Sequence, residues 1–153
     1  MYYQGLLNEM ISWKKENALS LQPPCTPEEL RALRRRTLAE LGLEVPEAYC
    51  TFLIRMNGLD SNGLVIYAST TTPIVGFTDR FIEGFVEANL GWWDHAPNRP
   101  FLHFGESGDS KYVFSPSQSQ YLVLDRQSDS VIKSVSTFEA LLGLALEENR
   151  PNI

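Results

Sequence analysis

Between Phe101 and Val135 the chain carries four strand-like runs in quick succession, Phe101–Gly105, Lys111–Ser115, Tyr121–Asp125 and Ser130–Val135. Their connections, Glu106-Ser107-Gly108-Asp109, Pro116–Ser119 and Arg126-Gln127-Ser128-Asp129, are short and rich in turn-forming residues. A parallel crossover needs about a dozen residues or more, so neighbours joined this closely run antiparallel. That meander constrains the fold more than any other feature. A further run, Leu64-Val65-Ile66-Tyr67, is short and flanked by Gly63 and polar residues, which predicts one more strand and a sheet of about five.

Helical spacing occupies the rest. Leu6, Leu7, Met10 and Ile11, with the stem of Lys14, predict an amphipathic helix over 3–17. Thr26-Pro27-Glu28-Glu29 combines an N-cap, a proline at the first helical position and a glutamate placed to reach back, so a helix over 27–41 follows. Its apolar arc is Leu30, Leu33, Leu38 and Leu41; Arg34 projects into that arc and should snorkel or meet a carboxylate. Helices are also predicted over 46–57 (Tyr49, Phe52, Leu53, Met56) and over 78–90, with Phe81, Ile82, Phe85 and Val86 inward. Gly91-Trp92-Trp93-Asp94-His95-Ala96-Pro97 reads as a loop. A last helix over 137–148 opens at Ser136-Thr137-Phe138-Glu139, a second capping box, and buries Phe138, Leu141, Leu142, Ala145 and Leu146. Helices first, a strand meander, then a closing helix make an α+β fold with a largely antiparallel sheet. At 153 residues, with 43% apolar and 21% charged residues, residues 1–153 form one domain with one core.

Charge narrows the partners. Residues 1–58 balance seven Lys/Arg with seven Glu, whereas the remainder holds twelve acids against six bases. Direct nucleic-acid binding needs a basic face that this half lacks; a basic protein partner suits it, as does a merely solvated acidic surface. The N-terminus has no basic start and no run approaches membrane-spanning length, so the expectation is a cytoplasmic protein with no membrane contact. Cys25 and Cys50 form no CxxC, and reduced thiols are the expectation there.

Catalytic and metal chemistry find no support. His95 and His103 are the only histidines, and no spacing offers three or four converging ligands. His103 alternates with Leu102 and Phe104 and reads as structural. Asp94-His95 lacks a nucleophile motif, Gly105–Asp109 leads into a strand without a lysine, and Cys50, off its helix's apolar face, has no evident base. No catalytic residue, metal or cofactor is assigned. The residues assigned to partner contact are Glu83, Glu87, Trp92, Trp93, Asp94, Glu106 and Asp109, from a segment (79–109) with six acids and two arginines. Glu83 and Glu87 fall one helical turn apart, where like charges disfavour each other unless Arg80 offsets Glu83. One of two consecutive tryptophans could stay accessible as an anchor, or both could cap the core edge.

The order of motifs resembles a known family. Thr26-Pro27-Glu28-Glu29-Leu30, then Leu41-Gly42-Leu43-Glu44-Val45-Pro46-Glu47-Ala48-Tyr49, Phe52-Leu53 and Asn57-Gly58 resemble the front half of the SUKH superfamily. Gly105, Gly108-Asp109, Tyr112 and Ser136-Thr137-Phe138-Glu139-Ala140-Leu141-Leu142 resemble its back half. The match runs from Thr26 to Leu146; Val45 stands where leucine is usual, and Thr78–Leu90 with the tryptophan loop is an insert. The resemblance implies an antiparallel-rich sheet with helices around it, no enzymatic activity, and a protein partner. In the bacterial branch it implies an immunity protein that neutralises a toxin, often a nuclease; the alternative is a housekeeping binding scaffold without a toxin.

Overall fold

The computed structural model describes residues 2–151. It is an α+β protein with five α-helices, α1 (Tyr2–Glu16), α2 (Pro27–Arg36), α3 (Glu47–Arg55), α4 (Phe85–Trp93) and α5 (Phe138–Glu148). Its strands are β1 (Leu59–Ser61), β2 (Leu64–Ile66), β3 (Thr72–Pro73), β4 (Phe81–Ile82), β5 (Leu102–Glu106), β6 (Ser110–Ser115), β7 (Gln120–Asp125) and β8 (Val131–Val135). Six of them form one antiparallel sheet in the order β1-β2-β5-β6-β7-β8, and β3 pairs with β4 apart from it. The meander lies as its short turns require. The main sheet has one strand more than the expected five, because Leu59–Ser61 pairs back on Leu64–Ile66 across Asn62-Gly63, both at positive φ.

One sheet face meets the helices. Phe104, Tyr112 and Val123 join Leu7, Leu33, Tyr49, Phe52, Phe138 and Leu142 in the main core. Tyr49 lies at its centre, with ring centroids 5.0 Å from Phe85, 5.3 Å from Phe104 and 5.7 Å from Phe138, and its hydroxyl donates to the Tyr67 carbonyl at 2.6 Å. The register places His103, Val113 and Leu122, and beside them Lys111 and Leu124, on the opposite face.

Caps behave mostly as their residues dictate. Thr26 and Glu29 form the reciprocal capping box. At α5 the box is one-sided: Thr137 accepts from the Ala140 N–H, and Ala140 at the third position has nothing to return. After Arg36 the second helix widens into a π turn, Thr37–Leu41, ended by Gly42 at φ 73°. That turn moves the buried stripe to Thr37 and Leu41, and Leu38, expected inside, is 57% exposed. Arg34 meets Glu47, and Cys50, expected off the apolar face, is buried.

The helix expected over 78–90 is the main correction. Phe81–Ile82 is a strand, with Phe81 outward and Ile82 buried, and helix begins only after Gly84. A Cβ at Gly84 would stand 2.6 Å from the Thr71 nitrogen and 2.7 Å from the Thr70 carbonyl carbon, so this close crossing requires glycine. Starting later, the helix also ends later: Trp92 and Trp93 are its last residues, not a loop.

Helix α4 is hydrogen-bonded to β5 through one side chain. Strand β2 covers β5 only at Gly105 and Glu106, and the Tyr67 N–H takes the Phe104 carbonyl, which leaves His103 without a strand on that side. Asn89, fully buried, fills the gap. Its carboxamide oxygen accepts from the His103 N–H at 2.6 Å, and its nitrogen donates to the carbonyls of His103 and Phe85, both at 2.9 Å. Replacing Asn89 with Leu keeps the branched shape but adds bulk and strands buried backbone groups, and should lower unfolding free energy by about 2–4 kcal/mol in denaturant titration. An unchanged midpoint would show that the backbone finds other partners.

Candidate functional site

The far face of the sheet, under the end of α4, gathers polar groups into a connected system around Trp92. The Trp92 indole N–H donates to the Tyr67 hydroxyl at 2.8 Å, and that hydroxyl donates to Glu106 at 2.6 Å. Arg126 donates to the other Glu106 oxygen at 2.6 Å and to the Ser107 carbonyl at 2.9 Å. His103 stacks on the indole with centroids 5.2 Å apart and planes at 12°. The Lys111 ammonium lies 5.2 Å from the ring centre and the Arg126 guanidinium 5.4 Å, both within cation–π reach.

Lys111 is the least expected member. It is 2% exposed, donates to the Asn98 carboxamide at 2.8 Å and pairs with Asp129. Asn98 comes from the short 3₁₀ turn Ala96–Asn98 and in turn donates to the Trp92 carbonyl. A buried ammonium persists only when its hydrogens find acceptors, so these contacts fix the turn over the sheet. Alternation along β6 puts Lys111 on the face of Val113, a readable signal that it points inward. Nothing in the sequence marks Asn98 and Asp129 as its partners, since they lie on separate loops.

The acids expected at an interface converge in part. Glu83, Glu87 and Glu106 lie close enough that Glu106 and Glu87, after burial itself, raise the Glu83 carboxyl above its ordinary value. Glu83 is not one turn before Glu87 on a helix; it precedes the N-terminal Gly84 and is exposed. Arg80 does not offset it, being paired with Asp60 at 3.1 Å. Glu87, in the first turn of α4, is half-buried and pairs with Arg36 at 2.9 Å, while Glu106 pairs with Arg126. Among the described residues Glu83 has no cationic partner.

The other candidates are more scattered. Asp109 is exposed in the β5–β6 turn, where its carbonyl accepts from the Arg126 N–H. Asp94, exposed, caps the C-terminus of α4. Trp93 is half-buried against the main core with its indole N–H on the Phe101 carbonyl at 2.7 Å. Both tryptophans therefore spend their polar edge inside the molecule. Cys25 and Cys50 are free and buried, and burial raises both thiols. Among the described residues no group of three His, Cys, Asp or Glu side chains is placed to hold a metal, and no helix is long and apolar enough to cross a membrane.

His103 gives this region a pH signature. It is fully buried, neither ring nitrogen has a hydrogen-bond partner among the described residues, and burial first, then the Lys111 charge, lower its pKa from 6.5 to about 3. The unfolded chain takes up the proton below pH 6.5 and the folded one only near 3. Stability from this group is thus complete above the unfolded value and lost as pH falls through that window. Relative to His103→Asn, the native protein should lose up to about 1.4 kcal/mol per pH unit there. Parallel pH profiles of unfolding free energy for the two proteins would refute this.

Compared with protein-family models and with curated proteins, the chain matches none.

Proposed function

We propose that this chain is a non-enzymatic binding domain of the SUKH type, acting in the cytoplasm as an immunity protein that neutralises a basic toxin domain. The partner is received at the acidic rim formed by Glu83, Glu87 and Glu106. The observation that carries this reading is the uncompensated Glu83. It is exposed beside two other carboxylates, each of which already has an arginine, and burial first, then repulsion from those two, raises its carboxyl above the ordinary value. Like charges held together in the free protein are relieved when a cationic side chain arrives, so part of the binding energy is stored in the unbound rim. The rim is also rigid, because the Tyr67–Glu106–Arg126 contacts hold one of its carboxylates before any partner arrives. Free buried thiols suit a reducing compartment, which supports the cytoplasmic assignment.

The reading separates stability from binding at one residue. A carboxyl with a raised folded pKa destabilises its ionised form, so Glu83→Gln should leave the free protein as stable or more stable wherever Glu83 is ionised. Glu83→Lys should slow association with the toxin by about tenfold at low salt and flatten the salt dependence. The reading requires a toxin gene adjoining this one, and the decisive experiment expresses its product in a sensitive host, with the native protein or with Glu83→Lys. Rescue by the native protein and weakened rescue by the variant are expected. Failure of the native protein to rescue would overturn the immunity assignment, and full rescue by a folded variant would move the interface elsewhere.

A further inference from the structure

A second site lies on different elements from the acidic rim and does not depend on it. A cavity of about 280 Å³ opens between the end of α1, the β1–β2 turn and the loop joining β3 to β4. Trp13, Val75 and Phe77 supply apolar wall, and Lys14, Asp60 and Arg80 supply charge. Its volume falls just short of the roughly 300 Å³ at which ligand pockets begin.

Charge around the cavity does not balance. Among the described residues Asp60 is its one carboxylate, and it is committed to Arg80 at 3.1 Å. Lys14 is 8% exposed and forms no ion pair among the described residues. Its ammonium carries three N–H groups, and among the described residues it has one acceptor, the Asp60 carbonyl at 2.8 Å. A buried ammonium with unused donors is costly unless something completes its shell. Burial accordingly lowers the Lys14 amine below its ordinary value. Lys111 on the far face shows the contrast, since a carboxamide and a carboxylate answer it.

The walls around Lys14 are fixed. Gln22 donates to the Pro73 carbonyl at 3.1 Å and accepts from the Val75 N–H at 2.8 Å, which ties the loop to the segment after α1. The Arg80 guanidinium lies 4.9 Å from the centre of the Phe77 ring, so that ring is held at the rim although it is 45% exposed. Val75 beside it is also exposed. Two cations against one carboxylate select an anion, and the aromatic and aliphatic rim selects a flat apolar body.

We propose that this cavity binds a carboxylate carried on an aromatic body, with Lys14 receiving the carboxylate, Arg80 contributing from the rim, and Trp13, Val75 and Phe77 enclosing the ring. A free aromatic acid and the carboxy-terminal phenylalanine of a polypeptide share this chemistry. Phenylacetate represents the first and N-acetyl-phenylalanine the second.

Each probe is titrated into the full chain while the Trp13 indole N–H signal is followed by NMR, with Trp13→Phe to assign it. Saturable binding in the millimolar range or tighter is expected for at least one probe. Stronger binding of N-acetyl-phenylalanine identifies a polypeptide terminus as the source, and stronger binding of phenylacetate identifies a free acid. Lys14→Met should weaken the better probe by about tenfold or more. The uncharged counterparts, phenylacetamide and N-acetyl-phenylalaninamide, should lose as much on the native protein. Arg80→Gln, at an exposed position, should weaken binding by several-fold and gives a second handle if Lys14→Met does not fold. No saturation with either acid, equal binding of acids and amides, or unchanged affinity in both folded variants overturns the assignment.

Discussion

The carboxamide of Asn89 is the contact on which the arrangement of the far sheet face depends. An antiparallel sheet gives each interior strand two hydrogen-bonded neighbours, but β2 is too short to serve β5 along its whole length. A buried strand edge with unmet N–H and carbonyl groups is not tolerated, and here one side chain supplies both a donor and an acceptor to His103. A helix thereby takes the place of a strand. Once α4 is anchored at that point its end reaches over the sheet, Trp92 lies on His103, and the turn that follows brings Asn98 to Lys111. Gly105 permits the same approach from β2, since a Cβ there would stand 2.4 Å from the Val65 carbonyl oxygen.

Much of this was legible in the sequence where the signal is local. The meander, the Thr26–Glu29 box and the buried face of α5 follow from turn chemistry, capping and periodicity, each contained within a few residues. Over Thr78–Leu90 the sequence misleads, because Phe81, Ile82, Phe85 and Val86 satisfy helical spacing while the backbone at Gly84 is pinned by Thr70 and Thr71, whose approach no local pattern reveals. Glycine at that place, with outward Phe81 next to inward Ile82, was the only available hint of a strand–turn–helix path. Leu38 was misplaced for a related reason: one π turn shifts the helical phase, and a fixed angle per residue cannot anticipate it.

The candidate sites divide the same way. That the segment 79–109 is acidic could be read directly. That Glu87 and Glu106 would each be taken by an arginine from a distant element, leaving Glu83 alone, depends on contacts with Arg36 and Arg126 that only the folded chain creates. The tryptophans likewise reach buried acceptors on Tyr67 and Phe101. Lys14 was legible as a stem on an apolar helix face, but its charge lies inside with the stem. Lysine at an inward helical position marks a place where the molecule keeps a charge it could have excluded.

Helix α1 rests against α5, and Arg150 beyond α5 reaches Glu9 on α1 at 2.7 Å. Within this sequence α1 therefore has its main partner in α5, which is made after every strand of the sheet. Until Leu141, Leu142 and Leu146 emerge, the buried side of α1, with Leu7 and Met10, lacks the helix that covers most of it. Synthesis in order leaves that helix face waiting while the whole sheet is made, so the growing chain is open over that interval to chaperones and to its own neighbours on the same message.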